Sequence, residues 1–288
     1  MNTLVVRLSS LGDVVLTGSV TAALSPVTFL TSRKYADIAA ALPGVVEVLA
    51  WEDGVEGLAK RHRTVIDLHA SPRSRWLTRG CNARRVKRYD IQRRLRVALK
   101  TAPAPSVVDR YAHAAQTEPA ALPWLDVKGP HDTLLIFPGA AHSTKRWPVE
   151  RFSEIRRRWI EKDGSVLVMG SEAERTMCSE IAQSEDELLV ENGFAGTIAA
   201  MGRGRKAIGS DSGLTHLAAA AGIPTVVLLG PTTVQDGFWS HALGTASVPL
   251  SCRPCSRFGG AICPIGDHAC MEDLTADMAW RALLEVTA

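Results

Sequence analysis

Short apolar runs alternate with amphipathic stretches along the first half of the chain. TLVVRL, VVLTGSVTAAL, VTFLTS, KYADIAAAL and VVEVLA follow one another, and TVIDLHA comes after a polar stretch with helical spacing. Near-continuous Val, Leu and Ile runs fit strands buried on both faces. Their alternation with helical stretches predicts a parallel sheet covered by helices. From about residue 101 to 130 the rhythm breaks into TAPAPS, EPAALPW and VKGP, where the prolines predict a linker. The rhythm then restarts with DTLLIFPGA, a helix from about Val149 to Lys162, SVLVMG, a helix from about Glu172 to Gln183, and LLVEN. A further helix, KAIGSDSG, a helix through THLAAAAG, TVVLLGPT and a closing helix from Leu274 to Val286 complete it.

This pattern predicts two α/β units, 1–128 and 129–288, and 288 residues suit two domains better than one core. In open sheets ligands bind at the carboxyl ends of the strands, so two facing lobes would place those ends on either side of a cleft.

Composition changes this picture little: 46% of residues are hydrophobic and 22% charged, as in ordinary globular proteins. The most apolar stretch, AAAAGIPTVVLLG, is interrupted by Gly222 and Pro224 and is shorter than the roughly 20 residues that span a bilayer. With no secretory leader pattern at the N-terminus, a cytoplasmic protein is expected. Charge matters more. The net charge is +3, yet eleven Lys or Arg and one acidic residue, Asp90, lie between Arg73 and Lys100. Such a segment is either a solvated face or an attractor for phosphorylated sugar, anionic lipid or nucleic acid.

Three motifs carry candidate chemistry. SDSGLTHLAAAAG joins a strand to a helix with small residues that leave backbone N–H groups at the helix start, an anion site by geometry and dipole. Asp211 or Ser212 acting only as a helix cap is the competing reading. FPGAAHSTKRWPVERF places Gly139, Ser143, Thr144, Lys145 and Arg146 at a strand end ahead of Pro148, which suits a first helical turn. A fixed cation there neutralises a departing diphosphate; surface solubility is the alternative. SSLGDVVLTGSV puts Asp13 where a strand becomes a helix, as a cap or as a general base. The chain has no G-x-x-x-x-G-K-[ST] and no G-x-G-x-x-G after its first strand, and MGRGRKAIG precedes a strand, which argues against P-loop and dinucleotide enzymes.

In this order, SSLGDVVLTGSV, PGAAHSTKRWPVERF and SDSGLTHLAAAAGIPTVVLLGPT resemble the heptosyltransferases of glycosyltransferase family 9. FLTSRKYADIAAALPGVVEV, VIDLHASPRSRWL, CRPC and CPIGDHACMEDLT are similar to the heptosyltransferase II type. The resemblance implies a GT-B architecture, with acceptor on the N-terminal Rossmann-like lobe and nucleotide sugar on the C-terminal one. It implies inverting transfer of heptose from ADP-heptose to the inner core of lipopolysaccharide, with no cofactor required for catalysis. Asp13 matches the base on the acceptor hydroxyl, and Ser10 and Gly12 fall in the same acceptor motif. Lys145 matches the lysine on the diphosphate and sugar, beside Gly139, Ser143 and Thr144. Asp211, Ser212, Gly213 and His216 match the element that holds heptose and phosphates, and Glu174 matches the ribose glutamate. Arg73, Arg75 and Arg79 are expected to dock an anionic acceptor at the cytoplasmic face of the inner membrane, where electrostatics favour a peripheral protein. The competing readings are a nucleotide-sugar binder without turnover and a nucleic-acid-binding module that uses the basic 73–100 segment and a zinc-held loop; for the transferase no nucleic acid is expected.

Cys252, Cys255, Cys263 and Cys270 crowd into 252–270, with His268 nearby. One C-x-x-C hook and two further thiols predict either a structural zinc or reduced cysteines packed in a loop, with disulfides a third alternative. Cys81 and Cys178 are expected to be packing residues.

Overall fold

The computed structural model describes residues 3–54, 61–81, 83–85, 105–190, 193–234, 243–256 and 258–287. The chain divides into two compact units, Met1–Leu125 and Asp126–Ala288.

The first unit is a parallel sheet of β1 (Thr3–Val6), β2 (Val27–Thr31), β3 (Val45–Ala50), β4 (Thr64–Asp67) and β5 (Ala83–Arg85), in the order β3-β2-β1-β4-β5. Leu4, Val5 and Val6 on β1 and Phe29 and Leu30 on β2 are wholly buried, as central parallel strands covered on both faces require. One face packs Leu4, Val6 and Leu30 with Leu8, Val65 and Leu77. The expected helix VVLTGSVTAAL is two short helices, Leu11–Leu16 and Gly18–Leu24, with Thr17 between them. The Thr17 hydroxyl donates to the Val14 carbonyl at 2.5 Å, a local bond that competes with helix continuation.

The proline-flanked stretch predicted as a linker contains a helix, Val107–Ala115. Ser106 and Asp109 form a reciprocal capping box at its start, and Gln116 closes it in the left-handed region. Val108, Tyr111, Ala112 and Ala115 turn inward. Prolines on both sides obscure a nine-residue amphipathic helix whose own signal lies in its cap.

The second unit is a parallel sheet of β6 (Thr133–Phe137), β7 (Ser165–Gly170), β8 (Leu188–Val190), β9 (Gly204–Ser210), β10 (Thr225–Leu228) and β11 (Leu243–Ala246), in the order β11-β10-β9-β6-β7-β8. Helices Val149–Ile160 and Ala276–Glu285 sit against it, and Trp147, Phe152, Ile155, Met271 and Leu283 fill the space beneath. The helix expected over 172–183 is a 3-10 turn, Glu172–Glu174, followed by Arg175–Ile181. β5 and β11 carry no apolar run of their own and are recognised only by the ladders they join. Among the described residues no helix is long and apolar enough to cross a membrane.

Both sheets are doubly wound: the first strand of each unit lies centrally, and strand order reverses beside it. The reversal lies between β1 and β4 in one unit and between β6 and β9 in the other. At such a point the two neighbouring loops diverge and leave a crevice beyond the strand carboxyl ends.

Candidate functional site

In the first unit the crevice residues follow β1 and β4. Asp13 is the third residue of the Leu11–Leu16 helix, not its N-cap; Ser10 holds the cap position without a side-chain capping bond. The capping reading of Asp13 is therefore replaced. Its carboxylate accepts from the Ser10 hydroxyl at 2.9 Å and pairs with the Arg7 guanidinium through Oδ2. The Tyr111 hydroxyl donates to Oδ1 at 3.2 Å from 98 residues away. The Asp13 side chain keeps 31% of its surface exposed, so a fixed carboxylate still reaches solvent. Gly12 is buried in the same turn.

Three residues not singled out from the sequence join this cluster: Arg7 ahead of the first motif, and Asp67 and His69 within VIDLHASPRSRWL. Arg7 leaves β1 and donates to the Leu68 carbonyl at 2.8 Å. Burial disfavours its charge, yet the Tyr111 oxygen and the Asp13 and Asp67 carboxylates hold its pKa above the ordinary value. Asp67, fully buried at the end of β4, accepts from the backbone of His69 and Ala70 and from the Ser74 hydroxyl at 3.1, 2.8 and 3.0 Å. It thereby shapes the turn that carries His69. Burial, helped by nearby Arg7, pushes the His69 pKa down and favours the neutral ring. The ring's Nδ1 is buried without a hydrogen-bond partner. Arg7 was marked only by directly following one central strand, whereas Asp67 and His69 lie at the end of the other in VIDLHASPRSRWL, a stretch of the resemblance to which no role was given.

Arg73, Arg75 and Arg79 are exposed on and just after the short helix Pro72–Leu77. The Arg73 guanidinium lies 4.4 Å from the Trp51 ring centroid, a cation–π contact. The rest of the basic segment lies largely outside the described residues.

In the second unit the crevice residues follow β6 and β9. Lys145 Nζ meets Asp211 Oδ2 at 2.5 Å, with both side chains nearly buried. The Thr232 hydroxyl donates to the same oxygen at 3.1 Å, and His216 Nε2 stands 3.8 Å from Oδ1. Burial alone would raise the Asp211 pKa, but His216 and Lys145 together outweigh it and hold the carboxyl well below the usual range. By distance the lysine is the closer partner. Lys145 is placed by packing two residues on. Trp147 is buried edge-on against Phe152 at 4.9 Å between ring centroids, and its indole N–H donates to the Leu274 carbonyl at 2.7 Å. Arg146 donates instead to the Ala140 carbonyl at 3.1 Å.

Ser212 precedes the Gly213–Ala220 helix without a side-chain capping bond, its hydroxyl lying 3.3 Å from that of Thr215. The first-turn amides of Gly213, Leu214 and Thr215 have no intrahelical acceptor by helix geometry, and their dipole favours an anion. On the other side of the switch, Gly139 lies against Glu174. A Cβ on Gly139 would stand 2.0 Å from Glu174 Oε1, so only glycine lets the carboxylate lie over the end of β6. Glu174 also accepts from the Ser171 amide and hydroxyl at 2.9 and 2.7 Å.

Ser143 and Thr144 point elsewhere. The Ser143 hydroxyl donates to the Ala261 carbonyl at 2.7 Å and that of Thr144 to the Gly260 carbonyl at 2.9 Å. They fasten the cysteine-rich loop beside Lys145. Gly259, at φ +88°, lies where a Cβ would come within 3.1 Å of the lysine stem.

The expected zinc ligands do not assemble. Among the described residues no group of three or more His, Cys, Asp or Glu is arranged to hold a metal ion, and all four loop cysteines are free thiols. Their environments differ: burial pushes Cys270 up to about 11, while backbone N–H groups around the half-buried Cys263 lower its pKa. Hydrogen bonds hold the loop instead. Arg253 donates to the carbonyls of Leu229 and Thr232 at 2.8 and 3.0 Å and also reaches Gly230 and Val248, and His268 bonds the Thr144 carbonyl at 2.8 Å.

Residues 103–259 match the profile of glycosyltransferase family 9 (heptosyltransferase). The chain belongs to this family. The family 9 chain is 34% identical over 131 residues to lipopolysaccharide heptosyltransferase 1 of Pseudomonas aeruginosa, covering 43% of this chain and 36% of the relative. It is 30% identical over 147 residues to lipooligosaccharide heptosyltransferase 2 of Campylobacter jejuni, covering 48% of this chain and 45% of the relative. The matches thus span less than half the length of either relative. The ADP-heptose lipopolysaccharide heptosyltransferase II of E. coli superposes with a TM-score of 0.73 at 19% identity, over 99% of this chain and 98% of that one. The family 9 fold is accordingly of the GT-B type, two Rossmann-like α/β domains.

Proposed function

We propose that this family 9 protein is an inverting glycosyltransferase that transfers heptose from ADP-heptose to the inner core of lipopolysaccharide. The observation that carries this reading is the Lys145–Asp211 pair beside the uncapped start of the Gly213–Ala220 helix, at the strand-order switch of the second unit. A diphosphate needs a cation and aligned N–H donors at its oxygens. Asp211 takes one of the three donors of the Lys145 ammonium and fixes its direction, leaving the others for phosphate oxygens. The donor names of the similar proteins support heptose as the sugar.

In the first unit Asp13 is the base. It takes the proton of an acceptor hydroxyl as that oxygen bonds to the anomeric carbon; on the opposite face the bond from that carbon to the diphosphate oxygen breaks and ADP leaves. Lys145, His216 and the helix amides stabilise the charge that develops on the leaving group. Arg73, Arg75 and Arg79, exposed together, dock an anionic acceptor at the inner face of the membrane; reversing their charge raises the acceptor KM, and unchanged acceptor kinetics would count against this role.

The test is a ligand-induced thermal-shift screen of ADP-heptose against UDP-, GDP- and ADP-hexoses, run on the wild type and on Asp13→Asn. ADP-heptose should give the largest shift in both proteins, with turnover in the wild type alone. Preference for a uridine donor would overturn the substrate, and turnover by Asp13→Asn would overturn the base.

A further inference from the structure

We infer that Tyr111 is a positioning residue for the base, holding the Asp13 carboxylate through its phenolic hydroxyl. The inference deepens the proposed function and rests on Asp13 acting there as base. Tyr111 is 2% exposed, and its hydroxyl donates to Asp13 Oδ1 while Arg7 and Ser10 engage Oδ2. The carboxylate is therefore gripped at both oxygens from separate elements, the segment after β1 and the Val107–Ala115 helix. Arg7 and Ser10 hold one oxygen of a carboxylate on a six-residue helix, and the Tyr111 hydroxyl fixes the direction of the other.

The helix that carries Tyr111 is independently fixed. Its capping box closes one end, and beyond its other end the Ala120 amide donates to the Ser19 carbonyl at 2.7 Å. The Arg7 guanidinium lies 5.9 Å from the Tyr111 ring centroid and bonds the Leu68 carbonyl, so ring, cation and carboxylate brace one another. Burial pushes the phenol pKa up, which keeps the hydroxyl protonated as a donor across the working range. Among the described residues, the charged or titratable groups of this cluster include Arg7 beyond β1 and His69 at the end of β4, with Asp67 acting on both of these and Arg110 on Tyr111.

Tyr111→Phe deletes one oxygen and keeps the buried ring. Removing a donor from an ionised carboxylate raises the pKa of that carboxylate. The acid limb of the kcat/KM profile, which reports the free enzyme's base, should therefore move to higher pH. We expect kcat to fall by about tenfold, a change of about 1.4 kcal/mol in the barrier, with the ADP-heptose thermal shift unchanged. An unmoved acid limb overturns the inference, whether kcat is retained or falls only with a lowered Tm, as a purely structural role predicts. If Tyr111→Phe fails to fold, 3-fluorotyrosine at position 111 replaces it; as a stronger donor it should move the limb to lower pH, and no movement overturns the inference. Asp13→Asn run in parallel separates the two levels. Turnover by that variant sinks the base itself, whereas an inactive Asp13→Asn beside an unmoved limb in Tyr111→Phe sinks only the role of Tyr111.

Discussion

The two units use one strand order but build their clusters differently. In the second unit Lys145, Asp211, Ser212 and His216 come from two contiguous motifs that follow β6 and β9, and the decisive contact joins one motif to the other. In the first unit Asp13 and Ser10 share a motif, but the other groups that hold the carboxylate, Arg7 and Tyr111 on a helix 98 residues away, lie outside every motif. Binding a nucleoside diphosphate needs backbone amides and a cation at strand ends, which a short motif can encode. Fixing a single carboxylate needs donors from several directions, and tertiary packing supplies them. If this comparison holds, damage to the first unit's cluster reads out in turnover, and damage to the second in donor binding and stability.

The largest effect is expected from Asp13→Asn, a loss of about 10² to 10⁴ in kcat, the range for general-base catalysis, measured with the donor thermal shift intact. Next comes Lys145→Met, which keeps the apolar stem and leaves Asp211 buried without its closest cation. The expected cost is about 3–5 kcal/mol of stability, read by denaturant unfolding, with a donor affinity about a hundredfold weaker, some 2.7 kcal/mol. Combining it with Asp211→Asn should recover stability but not affinity. Equal recovery of both would show that Lys145 only neutralises Asp211, and the contrast between the units would collapse.

Acid provides a milder test of the second unit. Because the Asp211 pKa is depressed on folding, its ionised form stabilises the native state. That contribution is complete above about pH 4, the ordinary range of an aspartate, and is lost as pH falls through the lower native value. The unfolding midpoint of the wild type should therefore drop on acidification below about pH 4, and that of Asp211→Asn should drop less. Parallel curves would mean that the pair contributes nothing to stability.

Most of the sheet architecture was legible because central parallel strands must be apolar throughout: TLVV, TLLIF and TVVL announce themselves. The edge strands β5 and β11 were not, since LGTA and ARR have no pattern of their own and exist through their neighbours' ladders. The same limit hid Tyr111. Its helix is short, flanked by prolines and marked only by the Ser106–Asp109 box, and its meaning lies in where its hydroxyl ends up. Asp13 could be picked out as chemically special, but whether it capped a helix or stood inside one depended on a boundary three residues away, which periodicity does not resolve. Ser143 and Thr144 show the converse case: hydroxyls in a promising motif are engaged in fastening a loop.

The cysteine-rich loop sharpens the comparison at its smallest scale. Spacing left a metal, reduced packed cysteines and disulfides open, and the loop's hold on the second unit runs through Arg253, His268, Ser143 and Thr144. Cys255 is exposed as a residue, and partial desolvation of its thiol, with the neighbouring Cys252, shifts its pKa upward. If no ion ties the thiols together, Cys255→Ser should change stability by no more than about 0.5 kcal/mol, the usual range for a surface substitution. Chelator treatment should leave Tm and the donor thermal shift where they were. A structural metal predicts the opposite: loss of one thiolate or of the ion would unfold the loop, release Thr232 and Thr144 from Arg253 and Gly260, and carry the disturbance into the Asp211 pair that Thr232 supports.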